Sequence, residues 1–179
     1  MGQRFIMTAF GKDRPGIAAD VAEVLYENGC NLEDTSMTLM AGEFTLILLF
    51  TAGSADVAGP LSRDCRRLEQ EKGISAFLRP LEPQKAVNKP GNAVFIRTLH
   101  VEGLDQAGIV YKVSRFLADS RINIVDLKST VKASPESGTA MYVMDIRVQI
   151  PNETAMDPVE KGLRAVADDL NVDITLSGR

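Results

Sequence analysis

The chain has 179 residues, a formal net charge of −4 and a pI near 5.1. This acidic balance argues against direct nucleic-acid binding, and 45% hydrophobic with 25% charged residues is typical of a globular protein. Two cysteines, Cys30 and Cys65, are too few for a disulfide framework, so we expect a reducing, cytoplasmic compartment. No stretch is apolar over enough residues to suggest a membrane span.

The first half predicts strands and helices in the order βαββαβ. Apolar residues at the helical period follow Gly16, and Asn28-Gly29 is a typical helix end. A second helix has Ser54 as a candidate cap, and Pro60 predicts a kink or a restart within it. The predicted elements are strand Gln3–Gly11, helix Gly16–Asn28, strands Asn31–Met40 and Phe44–Ala52, a helix carrying Val57 to Leu68, and strand Ile74–Leu81.

Residues 83–92 carry two prolines, a glycine and few large apolar side chains, which predicts a linker between domains 1–82 and 93–179. The second domain predicts the same element order, although its first helix lacks a terminal glycine and ends less clearly, near Asp119-Ser120. The predicted elements are strand Ala93–Glu102, helix Ala107–Asp119, strands Ile122–Lys132 and Gly138–Ile150, helix Asp157–Leu170 and strand Val172–Leu176.

An internal repeat links the two halves. Shifting the chain by 92 positions places residues 11–34 on residues 103–126 without a gap, with eight of the 24 positions identical. Self-similarity of this kind is the signature of a tandem duplication. The identical pairs are Gly11/Gly103, Asp13/Asp105, Gly16/Gly108, Ile17/Ile109, Val21/Val113, Leu25/Leu117, Asn31/Asn123 and Asp34/Asp126.

Each copy has a strand, then Asp-x-x-Gly-Ile opening a helix, then an Asn at the start of the next strand. This arrangement resembles the ACT domain, a small regulatory module that binds amino acids. The second copy departs from the pattern at Ala107, where proline is usual. The resemblance implies an α+β fold with two ferredoxin-like βαββαβ units, each an antiparallel four-stranded sheet with two helices on one face. The two copies together resemble the family of glycine cleavage system transcriptional repressors.

The turn before each first helix is the main candidate site. A helix beginning at Gly16 presents free N–H groups that favour a carboxylate, and glycine allows close approach of a ligand. Asp13 could accept hydrogen bonds from an ammonium group, and Asn31 offers both a donor and an acceptor. In amino-acid-binding ACT domains, as the resemblance implies, the ligand contacts this turn and this Asn. The candidate residues are Asp13, Arg14, Pro15, Gly16, Ile17 and Asn31 in the first copy, and Asp105, Gly108, Ile109 and Asn123 in the second.

Structural roles for the same residues stay open. Asp13 could cap the helix, Gly16 could serve tight packing and Asn31 could hold a turn. Elsewhere, the single histidine His100 reads as a strand side chain, because no metal-ligand spacing surrounds it. Glu33 and Asp34, adjacent in a strand, should point to opposite faces and so cannot act as an acid–base pair. No catalytic residue, metal site or cofactor is predicted.

The predicted function is a non-catalytic sensor of a small amino acid, glycine or serine by resemblance, that modulates transcription or metabolism through a transcription factor or an enzyme. Direct contact with nucleic acid or a membrane is not expected. Two alternatives remain: an interaction module that needs no ligand, and a regulatory subunit of an enzyme of amino-acid or one-carbon metabolism. We expect a homodimer. Because small units leave unprotected edge strands, we also expect sheets to join side by side, within one chain or between chains.

Overall fold

The computed structural model describes residues 2–53, 55–82, 94–134 and 138–177. The chain divides into two compact units, Met1–Val87 and Asn88–Arg179, here called unit 1 and unit 2. The predicted linker 83–92 and the candidate cap Ser54 lie outside the described residues, so the exact domain boundaries stay a prediction. No helix in the described ranges is long and apolar enough to cross a membrane.

Unit 1 has the predicted βαββαβ order, with a sheet in the order β2-β3-β1-β4 in which every pair is antiparallel. A 3₁₀ turn at Ala55–Val57 leads into the second helix, and a π-helical segment at Leu68–Lys72 follows it. The elements are β1 Gln3–Lys12, α1 Ile17–Glu27, β2 Asn31–Met40, β3 Glu43–Ala52, α2 Ala58–Arg67 and β4 Ser75–Pro80.

Unit 2 repeats this architecture with the sheet order β6-β7-β5-β8, again fully antiparallel. The predicted fold class is therefore confirmed in both halves. The elements are β5 Val94–Leu104, α3 Ile109–Asp119, β6 Asn123–Ala133, β7 Ala140–Pro151, α4 Met156–Leu170 and β8 Val172–Ser177.

The core of each unit lies between one face of the sheet and its helices. In β3, every second residue is buried, from Phe44 to Ala52, because successive side chains of a strand point to opposite faces. The helices contribute their apolar stripes, for example Val21 and Leu25 of α1. Among the described residues the buried side chains form two separate clusters, one within each unit.

Both first helices end in the same hydrogen-bonded motif despite different sequences. In unit 1, Gly29 has a positive φ of 63°, and the N–H groups of Gly29 and Cys30 donate to the carbonyls of Tyr26 and Leu25. This is a Schellman motif, which glycine favours. In unit 2, Arg121 takes the equivalent position with φ 57°. The end of α3 was unclear from the sequence because Arg121 adopts the left-handed conformation that glycine usually supplies.

Two expectations about helix starts are wrong. The N-cap of α1 is Gly16, and no side chain caps the helix, so Asp13 is not a capping residue. Pro60 does not restart α2, because it is the third residue of a helix that begins at Ala58. At that position its missing N–H has no intrahelical acceptor to lose.

A β-bulge corrects the prediction for Glu33 and Asp34. The register of β2 against β3 shifts between Leu32 and Asp34, so Asp34 lies opposite the outward-facing Leu49. Glu33 also reaches the outer side of the sheet, where its Oε2 lies 2.6 Å from the Arg4 guanidinium. An extra residue in one strand breaks the alternation on which the prediction of opposite faces depended.

Candidate functional site

The turn between β1 and α1 is held by the backbone. The Asp13 N–H donates to the Gly42 carbonyl at 2.9 Å, and the Gly16 carbonyl accepts the Asp20 N–H at 3.0 Å. Gly16 has φ 88°, in the left-handed region, and a Cβ built there would meet no atom within 4 Å. Glycine at this position therefore reflects the backbone conformation and leaves open space, so tight packing does not account for it.

This turn offers groups of both signs to a ligand. The first N–H groups of an α-helix lack intrahelical acceptors and carry partial positive charge. Close by in sequence, the exposed Asp13 carboxylate has no hydrogen-bond or ion partner among the described residues. A carboxylate and an ammonium group of one small molecule could therefore each find a complementary group here.

Arg14 is engaged with the protein itself. Its Nη2 lies 2.5 Å from Oδ2 of Asp20 in the first turn of α1, and Nζ of Lys72 lies 3.1 Å from the other oxygen of Asp20. The hydrogen bond from Arg14, followed by that from Lys72, lowers the pKa of Asp20 below its usual value. Asp20 and Lys72 were not predicted from the sequence. The Asp20 carboxylate holds two cations, Arg14 and Lys72, at the flank of the helix start.

The corresponding turn of unit 2 has the same backbone and different charges. Gly108 has φ 99°, the Asp105 N–H donates to the Ala140 carbonyl at 3.1 Å, and the Lys112 N–H donates to the Gly108 carbonyl at 2.9 Å. Lys112 stands where unit 1 has Asp20, and its Nζ lies 2.6 Å from Oδ2 of Asp169 in α4. In unit 1 the first helix therefore supplies the anion of the ion pair, Asp20 with Lys72, whereas in unit 2 it supplies the cation, Lys112 with Asp169.

Asn31 and Asn123 do not lie beside these turns. Each opens the second strand of its unit, as predicted, but α1 or α3 separates it from Gly16 or Gly108. Eleven helical residues span about 16 Å. Asn31 lies opposite Thr51, level with the beginning of β1, whereas Gly16 follows its end. Within one unit, a single small amino acid therefore cannot contact both predicted elements.

His100 belongs to a polar cluster on the outer face of the unit 2 sheet. Its Nδ1 lies 2.7 Å from Oδ1 of Asp145 on β7, and its Nε2 lies 3.6 Å from Oε2 of Glu102. The hydrogen bond with Asp145 is the main cause of a raised pKa for His100. The described residues contain no group of His, Cys, Asp and Glu side chains that could hold a metal ion.

We predict that His100 titrates above 6.5, and that Asp145→Asn lowers its pKa more than Glu102→Gln does. Since His100 is the only histidine, its ring protons can be followed by NMR without ambiguity. Asp157→Asn, in the first turn of α4, is the control and should change nothing. Because the folded-state pKa is raised, the pair stabilises unit 2 fully below about pH 6.5 and less as the pH rises through the folded value. A wild-type pKa at or below 6.5 would contradict the prediction.

Comparisons with known proteins place the chain in a family. A family model of the ACT domain matches residues 3–78. A UPF0237 protein of Methanopyrus kandleri is 31% identical over 87 residues, which cover 48% of this chain and 97% of that protein. The chain belongs to the ACT-domain family, and its two units are tandem copies of that domain.

The similarity to one kind of ACT-domain protein extends over nearly the whole chain. The glycine cleavage system transcriptional repressor of Escherichia coli is 21% identical over 166 residues, covering 93% of this chain and 85% of that protein. An unknown protein from Galdieria sulphuraria has a solved structure that matches with a TM-score of 0.76 at 26% identity, over 99% of this chain and 98% of that one. The chain is thus a tandem ACT-domain protein related to glycine cleavage system repressors.

Proposed function

We propose that this protein is a non-catalytic sensor of a small amino acid, glycine or serine, that regulates transcription or metabolism through contacts with another protein. The observation that carries the proposal is the open start of α1 at Gly16, which no side chain caps, together with the nearby Asp13 carboxylate, which has no partner among the described residues. The relationship to glycine cleavage system repressors supports the choice of ligand and of regulatory output. We further propose that the working form is a homodimer.

In unit 1, the ligand carboxylate binds the N–H groups at the start of α1, and the ammonium group binds Asp13. Pro15 and Ile17 border the turn, and Arg14 acts indirectly, because its guanidinium is held by Asp20. In unit 2, Asp105, Gly108 and Ile109 form the equivalent turn. Neither Asn31 nor Asn123 reaches the turn of its own unit. We propose that each makes a separate ligand contact, at the opposite end of the helix that precedes it, α1 or α3.

Regulation follows if the ligand binds one conformation of the protein, or one partner state, more tightly than another. In unit 1, ion pairs connect the turn to a second helical segment, because Asp20 binds both Arg14 from the turn and Lys72 at the end of the π-helical segment. A ligand that attracts Arg14 away from Asp20 would loosen this link. The two helical segments would then respond to occupancy of the turn.

Calorimetric titration of the full chain with glycine, serine, alanine and glutamate tests the proposal. We expect saturable heat with glycine or serine, and an affinity at least about tenfold weaker in Gly16→Ala, because alanine strains a left-handed residue by about 1–2 kcal/mol and its methyl group occupies the open space. Gly29→Ala is the matched control, since it strains an equally open left-handed glycine at the other end of α1. It should change the affinity by less than about twofold.

Two results would contradict the proposal in different ways. Absence of saturable binding by any of the four amino acids removes the sensor and favours an interaction module that needs no ligand. Binding that is weakened equally by Gly16→Ala and Gly29→Ala shows that loss of helix stability, and not the turn itself, governs affinity. In that case the ligand lies elsewhere.

A further inference from the structure

The outer face of the unit 1 sheet, opposite the helices, carries an apolar surface that the core does not use. Ile6 and Phe10 alternate with the buried residues of β1 and so point to this side. Leu49 is the cross-strand partner of Ile6, and Ile47 and Phe77 are the partners of Thr8, which lies between Ile6 and Phe10 on the same face. Phe77 is 64% exposed and Ile47 46%. The Phe10 and Phe77 rings stack with centroids 6.0 Å apart. We call these five residues the outer apolar face.

The duplication shows that the fold does not require this surface. The register of unit 2 gives the equivalent position for each residue of the outer apolar face, and all five positions are polar or charged there. A contiguous patch of exposed apolar side chains often marks an interaction site. This interpretation is favoured here because the same fold accepts polar residues at the equivalent positions of unit 2. The unit 2 residues, in the same order, are Thr98, Glu102, Asp145, Arg147 and Thr175.

Charges at the margins of the outer apolar face indicate what covers it. One row of residues crosses the four strands in the order Asp34, Leu49, Ile6, Arg79. The row is therefore negative at the β2 edge, apolar in the middle and positive at the β4 edge. Asp34 and Arg79 are both exposed, and neither forms an ion pair among the described residues.

We propose that a second copy of this chain packs on the outer apolar face, with a two-fold axis parallel to the strands. This inference rests on the homodimer proposed above and assigns its surface. The axis places β2 of one copy over β4 of the other, so Asp34 faces Arg79 of the other copy at both ends of the row. Leu49 then lies over Ile6, and Ile47 over Thr8. A two-fold interface requires this self-complementarity, and aligned sheets pack about 10 Å apart at about −30°.

The size of the outer apolar face sets the expected strength of dimerisation. Three strands of ten residues and one of six, about 3.3 Å per residue and about 4.8 Å apart, give a footprint on the order of 500 Å² per copy. Stable complexes usually bury about 800 Å² on each partner. We therefore expect dissociation in the micromolar range, so dimerisation depends on protein concentration.

Sedimentation equilibrium of the full chain from about 1 to about 200 µM tests the surface. We expect Ile47→Lys to weaken dimerisation at least about 100-fold, because it places an unpaired charge at the centre of the interface. Phe77→Lys, on another strand, should have the same effect, which excludes a folding defect peculiar to one variant. Val131→Lys alters an equally exposed valine of edge strand β6 and should leave the dissociation constant within about threefold.

Reciprocal charge exchange tests the orientation. Arg79→Glu alone should weaken dimerisation about tenfold by placing two carboxylates together, and combining it with Asp34→Lys should recover most of that loss. No recovery overturns the two-fold axis parallel to the strands. A wild-type chain that stays monomeric to about 200 µM overturns both the homodimer and this surface, whereas a dimer insensitive to Ile47→Lys, or sensitive to Val131→Lys, overturns the surface alone. None of these results bears on the heat of amino-acid binding, so the proposed amino-acid sensor and the proposed dimer surface fail separately.

Discussion

Replacing Phe50 by alanine is expected to destabilise unit 1 by about 3–5 kcal/mol. Phe50 is fully buried on β3, and its ring stacks on Phe5 of β1 with centroids 5.6 Å apart and planes 16° from parallel. The two residues are direct partners across the strands. Truncation therefore removes the transfer free energy of a large side chain, leaves a cavity beneath both strands and abolishes an aromatic pair.

Hydrogen exchange read by mass spectrometry measures this loss in each unit separately. Protection of the slowest amides in peptides from unit 1 should fall by about 150- to 4,000-fold, since every 1.4 kcal/mol is a factor of ten. Peptides from unit 2 serve as the internal reference, because the two buried clusters are separate. Tyr26→Ala, which removes an 84% exposed aromatic side chain, is the matched control. Equal loss in the two variants would show that Phe50 does not support the core.

The order of elements could be predicted because the relevant signals are local. Apolar residues repeat at the helical period after Gly16, and apolar strands flank short turns. Gly16 and Gly108 stood out because they recur at equivalent positions, but their left-handed backbone conformation was not predicted. The shared end of α1 and α3 was recognisable only in unit 1, since Arg121 gives no sequence signal for a left-handed residue.

Features that depend on distant contacts could not be predicted. Lys72 lies 52 positions from Asp20 in the sequence, so no local pattern joins them. The bulge that brings Glu33 and Asp34 to one side of the sheet arises from the pairing of β2 with β3. The separation of Gly16 and Asn31, in contrast, follows from the predicted helix between them, because eleven helical residues span about 16 Å.

The duplicated glycine at the end of each first strand has a structural reason that the sequence did not reveal. In unit 1, a Cβ on Gly11 would lie 2.9 Å from the carbonyl oxygen of Gly73, just before β4. In unit 2, a Cβ on Gly103 would lie 2.6 Å from Cγ1 and 3.1 Å from Cα of Val172, its partner at the start of β8. Both glycines allow the chain that leaves the last helix to cross close to the central strand.

Gly103→Ala is therefore expected to destabilise unit 2 by about 1–3 kcal/mol, which hydrogen exchange of unit 2 peptides would record as a loss of protection of about 5- to 150-fold. The strain cannot be relieved by a side-chain rotation alone, since Cβ and Cα of Val172 are also close. Gly59→Ala in α2 is the control, because that glycine has open space, and alanine should be neutral or stabilising in a helix.

A second substitution shows whether the crowding against Val172 is the cause. Val172→Ala removes the Cγ1 methyl group, the atom nearest to the new Cβ, so the double variant with Gly103→Ala should lose less stability than the sum of the two single variants. Strict additivity would mean that the glycine is needed for some other reason, such as the backbone conformation of β5. In unit 1 the atom nearest to a Cβ on Gly11 is the backbone carbonyl oxygen of Gly73 at 2.9 Å, and Cε1 of Phe44 is next at 3.3 Å. Because no side-chain substitution removes that carbonyl oxygen, no matching rescue exists, and Gly11→Ala should stay destabilising in any variant of the residues around Gly73.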